Sequence, residues 1–271
     1  MSPGWGRITA LARKDAAELL RNPGATVPPM LMALGALFPG FLVIFGAPMI
    51  AGRTLEESGD FNAAVDVIAT MPELAGLTGN ALIQAFLFHQ FALLLLMVPV
   101  VSATALATHA VIGEKQSKAL EPLLATPIST IELLAAKALT PFLFALALTW
   151  GTAALYILGI LLLGEPGVWQ TAVGPRTFVL FVMVGPLIEL ATLLVSVVVS
   201  SRANDPRSAQ QLTSLLILPI TVVFIAQLMG AFVIPIAALL LAALGLLTMN
   251  ALLLVIGVRV FERETILTRW R

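Results

Sequence analysis

Long stretches without a charged residue constrain the fold of this chain more than any other feature of its sequence. No Asp, Glu, Lys or Arg occurs in residues 22–52, 74–113, 138–164 or 208–258. The last run would measure about 76 Å as a single helix, which is too long for one ~30 Å hydrocarbon core. We therefore predict one membrane crossing from each of the first three runs, and two from the last run, with a turn near residues 230–235.

The composition agrees with a polytopic membrane protein. Hydrophobic residues make up 59% of the chain and charged residues 11%, against roughly 25% charged residues in an average soluble domain. So few charges cannot cover a soluble protein of this size. A further apolar run, residues 177–201, is interrupted only by Glu189. The predicted fold class is all-α, with six transmembrane helices at residues 27–50, 84–111, 138–163, 177–200, 210–229 and 235–258.

The positive charges predict how these spans are oriented. Six spans place both termini on one side of the membrane, together with loops 112–137 and 202–207. All Lys and Arg residues except Arg53 and Arg176 lie on that side. Because cytoplasmic loops carry an excess of Lys and Arg, we expect both termini in the cytoplasm.

Residues 6–21 predict an amphipathic helix before the first span. Apolar residues such as Ile8, Leu11 and Leu19 follow helical spacing, while Arg7 and Lys14 occupy the other face. Such a helix is typical of the headgroup region of a membrane.

Two outer loops have different patterns. Loop 51–83 predicts a short surface helix that begins at Asp60, because apolar residues follow it at helical spacing. Loop 164–176 is rich in Gly and Pro, and it predicts a simple turn.

The segment 113–129, GEKQSKALEPLLATPIS, is a charged inner loop between two apolar spans. Pro122 suits the first turn of a short helix and Pro127 would end it, while Ser129 and Glu132 form a capping box for the next span. Leu123 and its apolar neighbours have little to pack against on a short loop. This pattern favours contact with a partner protein.

The inner loop resembles the coupling segment of ABC exporter permeases of the type 2 class, which typically reads E-K/R-E-x-G-T-L-E-x-L-L-x-T-P-I. The sequence departs from this pattern at Lys118 and Ala119, where glycine and threonine are usual. The stretch 200–219 and the N-terminal segment also resemble members of this family. The matching residues of the loop are Glu114, Lys115, Leu120, Glu121, Leu123, Leu124, Thr126, Pro127 and Ile128.

The resemblance implies a half-transporter with an N-terminal elbow helix that also touches an ATPase subunit. Two permeases, identical or siblings, would join two ABC ATPase subunits in the cell (inner, cytoplasmic) membrane and export a substrate. The inner loop 113–129 would dock into the ATPase. ATP and Mg would bind the ATPase rather than this chain, and no nucleic-acid partner is expected. Residues 230–235 leave no room for the outer re-entrant helices that some relatives have between their last two spans.

The sequence lacks the motifs of an enzyme that works alone. It has no P-loop pattern and no H-E-x-x-H. His89 and His109 have no carboxylate companions nearby, and the chain contains no cysteine. We therefore expect no catalytic residue, metal ligand or cofactor site in this chain.

Glu189 leaves an alternative open, because it is the one charged residue inside a predicted span. Intramembrane acids often mark an ion or substrate pathway, although a hydrogen bond to a neighbouring helix would also satisfy such a residue. An ion-coupled secondary transporter that uses Glu189 is therefore one alternative function. A membrane scaffold without transport is another.

Sparse polar residues on two spans, together with Glu189, predict a translocation path. At 100° per residue, Gln84 and Ser102 share one face of the second span. Gln210, Ser214 and Thr221 share one face of the fifth. In the family that the chain resembles, spans one, two and five surround the route. Polar residues that hold helices together are the alternative interpretation of both stripes.

Overall fold

The computed structural model describes residues 3–61, 65, 71–116, 130–203, 205–229 and 234–260, and within these ranges the chain forms helices and no strands. Six helices are long and apolar enough to cross a membrane. The predicted all-α fold with six spans is therefore confirmed. The helices are α1 (Pro3–Arg21), α2 (Pro23–Ala51), α3 (Leu55–Ser58), α4 (Gly79–Phe91, continuing through Ala92–Leu96 to Met97–Gln116), α5 (Thr130–Leu163), α6 (Val168–Ala172), α7 (Pro175–Phe178, continuing through Val179–Val184 to Gly185–Arg202), α8 (Pro206–Ser214, continuing to Ile217–Leu228) and α9 (Ile236–Val260). The spans are α2, α4, α5, α7, α8 and α9.

Short capping contacts fix where the spans begin. The Asn22 side chain accepts a hydrogen bond from the Gly24 amide at 3.0 Å, so α2 begins at Pro23, before the predicted start at residue 27. Asp205 caps α8 as the sequence predicts, accepting from the Ser208 amide at 2.9 Å. Hydrogen bonds from the Ser208 side chain and amide hold the pKa of Asp205 below its usual range.

Prolines shape three of the spans. A proline has no N–H for the carbonyl group four residues earlier, so the turn before it must adopt another hydrogen-bond pattern or leave that carbonyl unpaired. In each of these spans an irregular turn ends within three residues of a proline. The irregular turns are π-helical Leu42–Gly46 before Pro48, 3-10 helical Ala92–Leu96 before Pro99, and π-helical Val179–Val184 before Pro186.

Helix α4 lies at the centre of the bundle. Its most apolar stretch is 83% buried within this single chain, and it packs against α2, α5, α7 and α8. Helix α9 packs against α7, and α1 packs against α5, where the Thr140 hydroxyl donates to the Ala12 carbonyl at 2.9 Å. Helices α2, α8 and α9 are only 17–22% buried, and they form the rim.

Aromatic side chains join α2, α4 and α5. The Tyr156 hydroxyl donates to the Phe88 carbonyl at 2.8 Å, and the two rings lie edge to face with centroids 5.7 Å apart. The Phe41 ring contacts both of these rings. A Cβ atom at Gly159 would collide with the Phe41 ring, so any larger residue there would push this ring away from its present contacts.

The outer loops are more ordered than the sequence predicts. The expectation of a simple turn at 164–176 is wrong, because α6 forms there and buries Val168 completely. The sequence signal for this helix was the apolar pair Val168 and Ala172, which are one helical turn apart. Both residues are buried in the structure. The carbonyl oxygen of Thr171 in this helix lies 3.1 Å from His89 Nε2.

The surface helix predicted after Asp60 falls largely on residues outside the described ranges. The described part of loop 51–83 contains α3, which begins with a capping box. The Thr54 hydroxyl accepts from the Glu57 amide at 3.2 Å, and the Glu57 carboxylate accepts from the Thr54 amide at 2.8 Å. These bonds hold the pKa of Glu57 below its usual range.

Candidate functional site

Buried polar side chains lie in the packed centre formed by α4 and α7. Ser102 and Thr104 of α4 and Glu189 and Ser200 of α7 are each at most 4% exposed. Their side-chain oxygens have no hydrogen-bond partner among the described residues. Unsatisfied polar groups are rare in folded proteins and mark positions that need an explanation.

Glu189 faces the interior of the bundle rather than lipid. It is fully buried, one helical turn after Pro186, where α7 returns from its π-helical segment to regular geometry. The backbone of Leu146 in α5 lies beside its carboxyl group, without the geometry of a hydrogen bond. Interior positions of this kind are where intramembrane acids are usually tolerated.

A pocket of about 330 Å³ opens between α2 and the start of α4, at the end of the bundle opposite the inner loop. Its apolar wall comes from α2, whereas its polar wall includes Arg53, Glu57 and Gln84. The Gln84 side-chain oxygen accepts from the Glu165 amide at 3.0 Å. Asn80 donates to the Glu165 side chain and accepts from the Leu55 amide. The same two side chains, Asn80 and Gln84, therefore line the pocket and tie the outer loops to α4.

A larger cavity of about 650 Å³ lies within the membrane-spanning part, among α4, α7, α8 and α9. Apolar side chains line it, with Thr192 as the exception. At 100° per residue, the α8 residues that face this cavity lie roughly opposite Gln210, Ser214 and Thr221. The cavity and the predicted path therefore use different faces of α8.

The structure does not bring the predicted path residues together within one subunit. Gln84 lies at the outer end of α4, and Ser102 and Glu189 are in the closed interior. Ser214 is exposed and donates to the Gln211 carbonyl at 2.8 Å. Thr221 is half-buried and donates to the Ile217 carbonyl, and Gln210 is half-buried as well. A path that includes both groups would need a second subunit or a movement of α4, so it stays a prediction.

The inner loop 113–129 begins on α4 itself. Glu114 and Lys115 belong to the last turn of this helix, which extends to Gln116. Helix α5 begins at Thr130, the first residue after the loop. The other predicted coupling residues, Leu120, Glu121, Leu123, Leu124, Thr126 and Pro127, lie outside the described residues.

Sequence reasoning missed several interior polar residues. Arg176 is almost fully buried, and its guanidinium group pairs with the Glu73 carboxylate at 3.7 Å. Asn250 of α9 donates to the Leu187 carbonyl at 2.9 Å. Gln90 and Gln227 are buried, and their amide groups have no partner among the described residues. Mean hydropathy over a window hides a single amide side chain in an apolar run. Such a residue can be predicted to lie inside the bundle only if the sequence shows which face of its helix is buried.

Six helices that are long and apolar enough to cross a membrane define a multi-pass membrane protein. A family model described as ABC-2 family transporter protein matches residues 31–206, which include α4, α5, α7 and the inner loop. The chain belongs to this family, and the resemblance predicted from the inner loop is confirmed. Membership implies an ABC ATPase partner and a membrane location. No curated protein matches the sequence.

Proposed function

We propose that this chain is the permease subunit of an ATP-driven exporter, which couples to a separate ATPase subunit through the inner loop 113–129. The position of this loop at the end of α4 carries the proposal. Because α4 is a continuous helix from Gly79 to Gln116 and contacts four other spans, a displacement of the loop would reach the centre of the bundle directly. Coupling between distant sites needs such a physically connected element.

The charges of the loop and of the termini support a cytoplasmic location for the coupling surface. The loop lies on the side that holds all Lys and Arg residues except Arg53 and Arg176. This distribution predicts the cytoplasmic side, where ATP is available to the partner. In this arrangement the chain spans the cell (inner) membrane with both termini inside. ATP and Mg are held by the ATPase, and this chain performs no hydrolysis.

The rim of the bundle supports pairing with a second permease. Helices α2 and α8 expose long apolar side chains, and these helices carry or adjoin the predicted path residues. The proposed path lies between two copies, or between this chain and a sibling. Gln210, Ser214 and Thr221 of each copy would supply sparse polar groups along a mostly apolar wall, which suits an amphipathic substrate.

Substitutions in the inner loop test the coupling. Glu121→Arg reverses a charge at the proposed ATPase contact, and a Leu123→Ser/Leu124→Ser variant removes its apolar part. We expect both variants to insert normally into the membrane but to lose co-purification with the partner ATPase and to lose permease-dependent ATPase activity in proteoliposomes. Glu56→Arg, at an exposed position of the outer loop, is the charge-matched control. Normal co-purification and ATPase activity in both loop variants would refute the proposed coupling.

The alternative of an ion-coupled transporter depends on Glu189. The observation in its favour is that this buried carboxyl group has no hydrogen-bond partner among the described residues. The distribution of polar groups argues against it, because no second charged side chain is buried beside Glu189 in the described part of the spans. Transport driven by ATP without any ion gradient separates the two functions.

A further inference from the structure

The cavity among α4, α7, α8 and α9 separates two helices that are consecutive in the chain. Helix α8 packs against α4 and the inner end of α7, whereas α9 packs along α7. Only seven residues lie between the end of α8 at Leu228 and the start of α9 at Ile236. Antiparallel helices with a short connection usually pack against each other. Here they diverge around a space of about 650 Å³.

Water is a poor occupant of this space. A buried water molecule needs two to four polar partners. The Thr192 hydroxyl already donates to the Ile188 carbonyl at 2.8 Å, and the other lining side chains are hydrocarbon groups or the thioether of Met249. An empty space of this size is also unfavourable, because its lining atoms lose dispersion contacts. The chemistry of the walls therefore calls for an apolar occupant.

The shape of the cavity indicates a long, thin occupant. Its lining on α9 runs from Ala238 to Leu253, which is about 22 Å along the helix. Half of the hydrocarbon core measures about 15 Å, so the cavity extends over more than one leaflet depth. The side toward α4 and α7 is closed by buried residues such as Val100 and Ala191. Pro219 of α8 and Ala242 of α9 are exposed at the opposite edges, so the cavity opens sideways between these two helices.

We propose that this cavity binds an acyl chain of a phospholipid from the surrounding bilayer, which enters between α8 and α9. An acyl chain is the long apolar molecule that is present at this depth in every membrane. Binding pockets for cargo usually add a few polar groups that fix its orientation. The walls here offer no free polar group for that purpose, which favours a resident lipid over a transported molecule. The site is separate from the proposed path, because it uses the other face of α8, and it does not depend on coupling to an ATPase.

Photo-crosslinking tests this assignment on the full-length protein in nanodiscs. The probe is a phosphatidylcholine that carries a diazirine in the middle of one acyl chain, and mass spectrometry locates the labelled residues. Any lipid-facing residue can be labelled, so the informative positions are those of the closed wall. We expect labelling of Ile188 and Val195 of α7, which line the cavity and are only half-buried, so that an acyl chain inside it can contact them.

A pair of matched substitutions on α9 provides the control. Ala242→Phe places a ring in the opening of the cavity, whereas Ala237→Phe places the same ring on an exposed position outside its lining. We expect Ala242→Phe to reduce labelling of Ile188 and Val195 by about tenfold and Ala237→Phe to leave it unchanged. A normal elution profile in size-exclusion chromatography shows that each variant is folded.

Three results would overturn the proposal. Labelling confined to outward-facing residues of α8 and α9 in the unsubstituted protein would show that no acyl chain enters. A disulfide between two copies of an Ala242→Cys variant, without labelling of the closed wall, would show that a second copy covers the opening. Labelling that falls when the assembled transporter hydrolyses ATP would identify the occupant as cargo rather than resident lipid.

Discussion

The second and fifth spans have similar hydropathy but opposite surroundings. The most apolar stretches of α4 and α8 have mean hydropathies of 2.2 and 1.9, yet 83% of the residues are buried in α4 and only 17% in α8. Helix α4 carries buried polar residues along its length, including Gln84, Gln90 and Ser102. In lipid, apolar surface alone gives a helix no reason to leave the bilayer for the bundle, whereas polar groups and close packing do. Hydropathy therefore identifies spans but does not show which span is central, and polar residues alone do not show it either, because α8 at the rim also carries Gln210, Ser214 and Thr221.

The largest effect that separates the two spans is expected from removing one buried leucine. Leu106 of α4 is fully buried in a cluster with Leu19, Ala25 and Ala145, so Leu106→Ala should lower the free energy of unfolding by about 2–5 kcal/mol. Leu218 of α8 is 56% exposed, and Leu218→Ala should change the free energy of unfolding by less than about 0.5 kcal/mol. Denaturant unfolding of the purified protein in mild detergent measures both values.

If Leu106→Ala and Leu218→Ala lowered the free energy of unfolding equally, the proposed difference in burial between α4 and α8 would not hold for the protein in detergent. They would indicate that α8 is as closely packed as α4, which requires that a second subunit covers the rim. Repeating the measurement at several protein concentrations separates these cases, because stabilisation by a partner depends on concentration.

Thiol labelling should show a smaller difference between the same two spans. The chain has no cysteine, so Ser102→Cys, Thr221→Cys and Ser214→Cys each introduce a single thiol. We expect Ser214→Cys to react fastest and Ser102→Cys slowest with a small polar reagent, in the order of their exposure. A local opening free energy of about 1.4 kcal/mol is enough to slow Ser102→Cys roughly tenfold.

This measurement also sharpens the predicted path. If Ser102→Cys reacts as fast as Ser214→Cys, water reaches the centre of α4, and the path runs inside the bundle. If substrate-free protein labels only Ser214→Cys and Thr221→Cys, the path lies on α8 at the subunit boundary. Unreactive thiols at all three sites, beside a reactive control cysteine at exposed Glu56, would show that both stripes are packing surfaces.

The smallest effect is expected at Glu189, on the helix that packs most extensively against α4. Glu189→Gln keeps the size of the side chain and removes a buried carboxyl group that has no partner among the described residues. Stability should change by less than about 1 kcal/mol, because no hydrogen bond is lost. ATP-driven transport by membrane vesicles without an ion gradient should stay within about twofold of the unsubstituted protein, because an ATP-driven exporter does not need Glu189 to bind or release an ion. Gradient-dependent transport that disappears in Glu189→Gln would instead support the ion-coupled alternative.

Much of this fold could be predicted because charges and caps are local signals. The charge-free runs indicate five spans, the run interrupted only by Glu189 indicates a sixth, and Asp205 with Pro206 marks the start of α8 as observed. The neighbours of each helix could not be predicted, because a lipid-facing leucine such as Leu218 and a buried one such as Leu106 look alike in sequence. The buried helix α6 was missed for a related reason, since its Gly and Pro neighbours suggested a turn.

The candidate sites also differ in whether they could be predicted from local sequence. The inner loop was recognised from its own residues, whereas the outer pocket and the intramembrane cavity each combine residues from at least two distant parts of the chain. Arg53 and Gln84 line one pocket although 30 intervening residues separate them in sequence. Their proximity depends on how α2 packs on α4, and a single sequence contains no signal for that contact.

The irregular turn Ala92–Leu96 in α4 has a mechanical consequence. Below it, Met97–Gln116 forms a regular stretch of 20 residues, about 30 Å long, that ends at the inner loop. Above it, contacts from Tyr156, Thr171 and Glu165 hold the outer part of the helix. A push on the loop would therefore tilt the stretch Met97–Gln116 about the irregular turn Ala92–Leu96, while the outer end of the helix stays fixed. Spin labels on the inner part of α4 should therefore move relative to the neighbouring spans during ATP hydrolysis, whereas labels on its outer part should not.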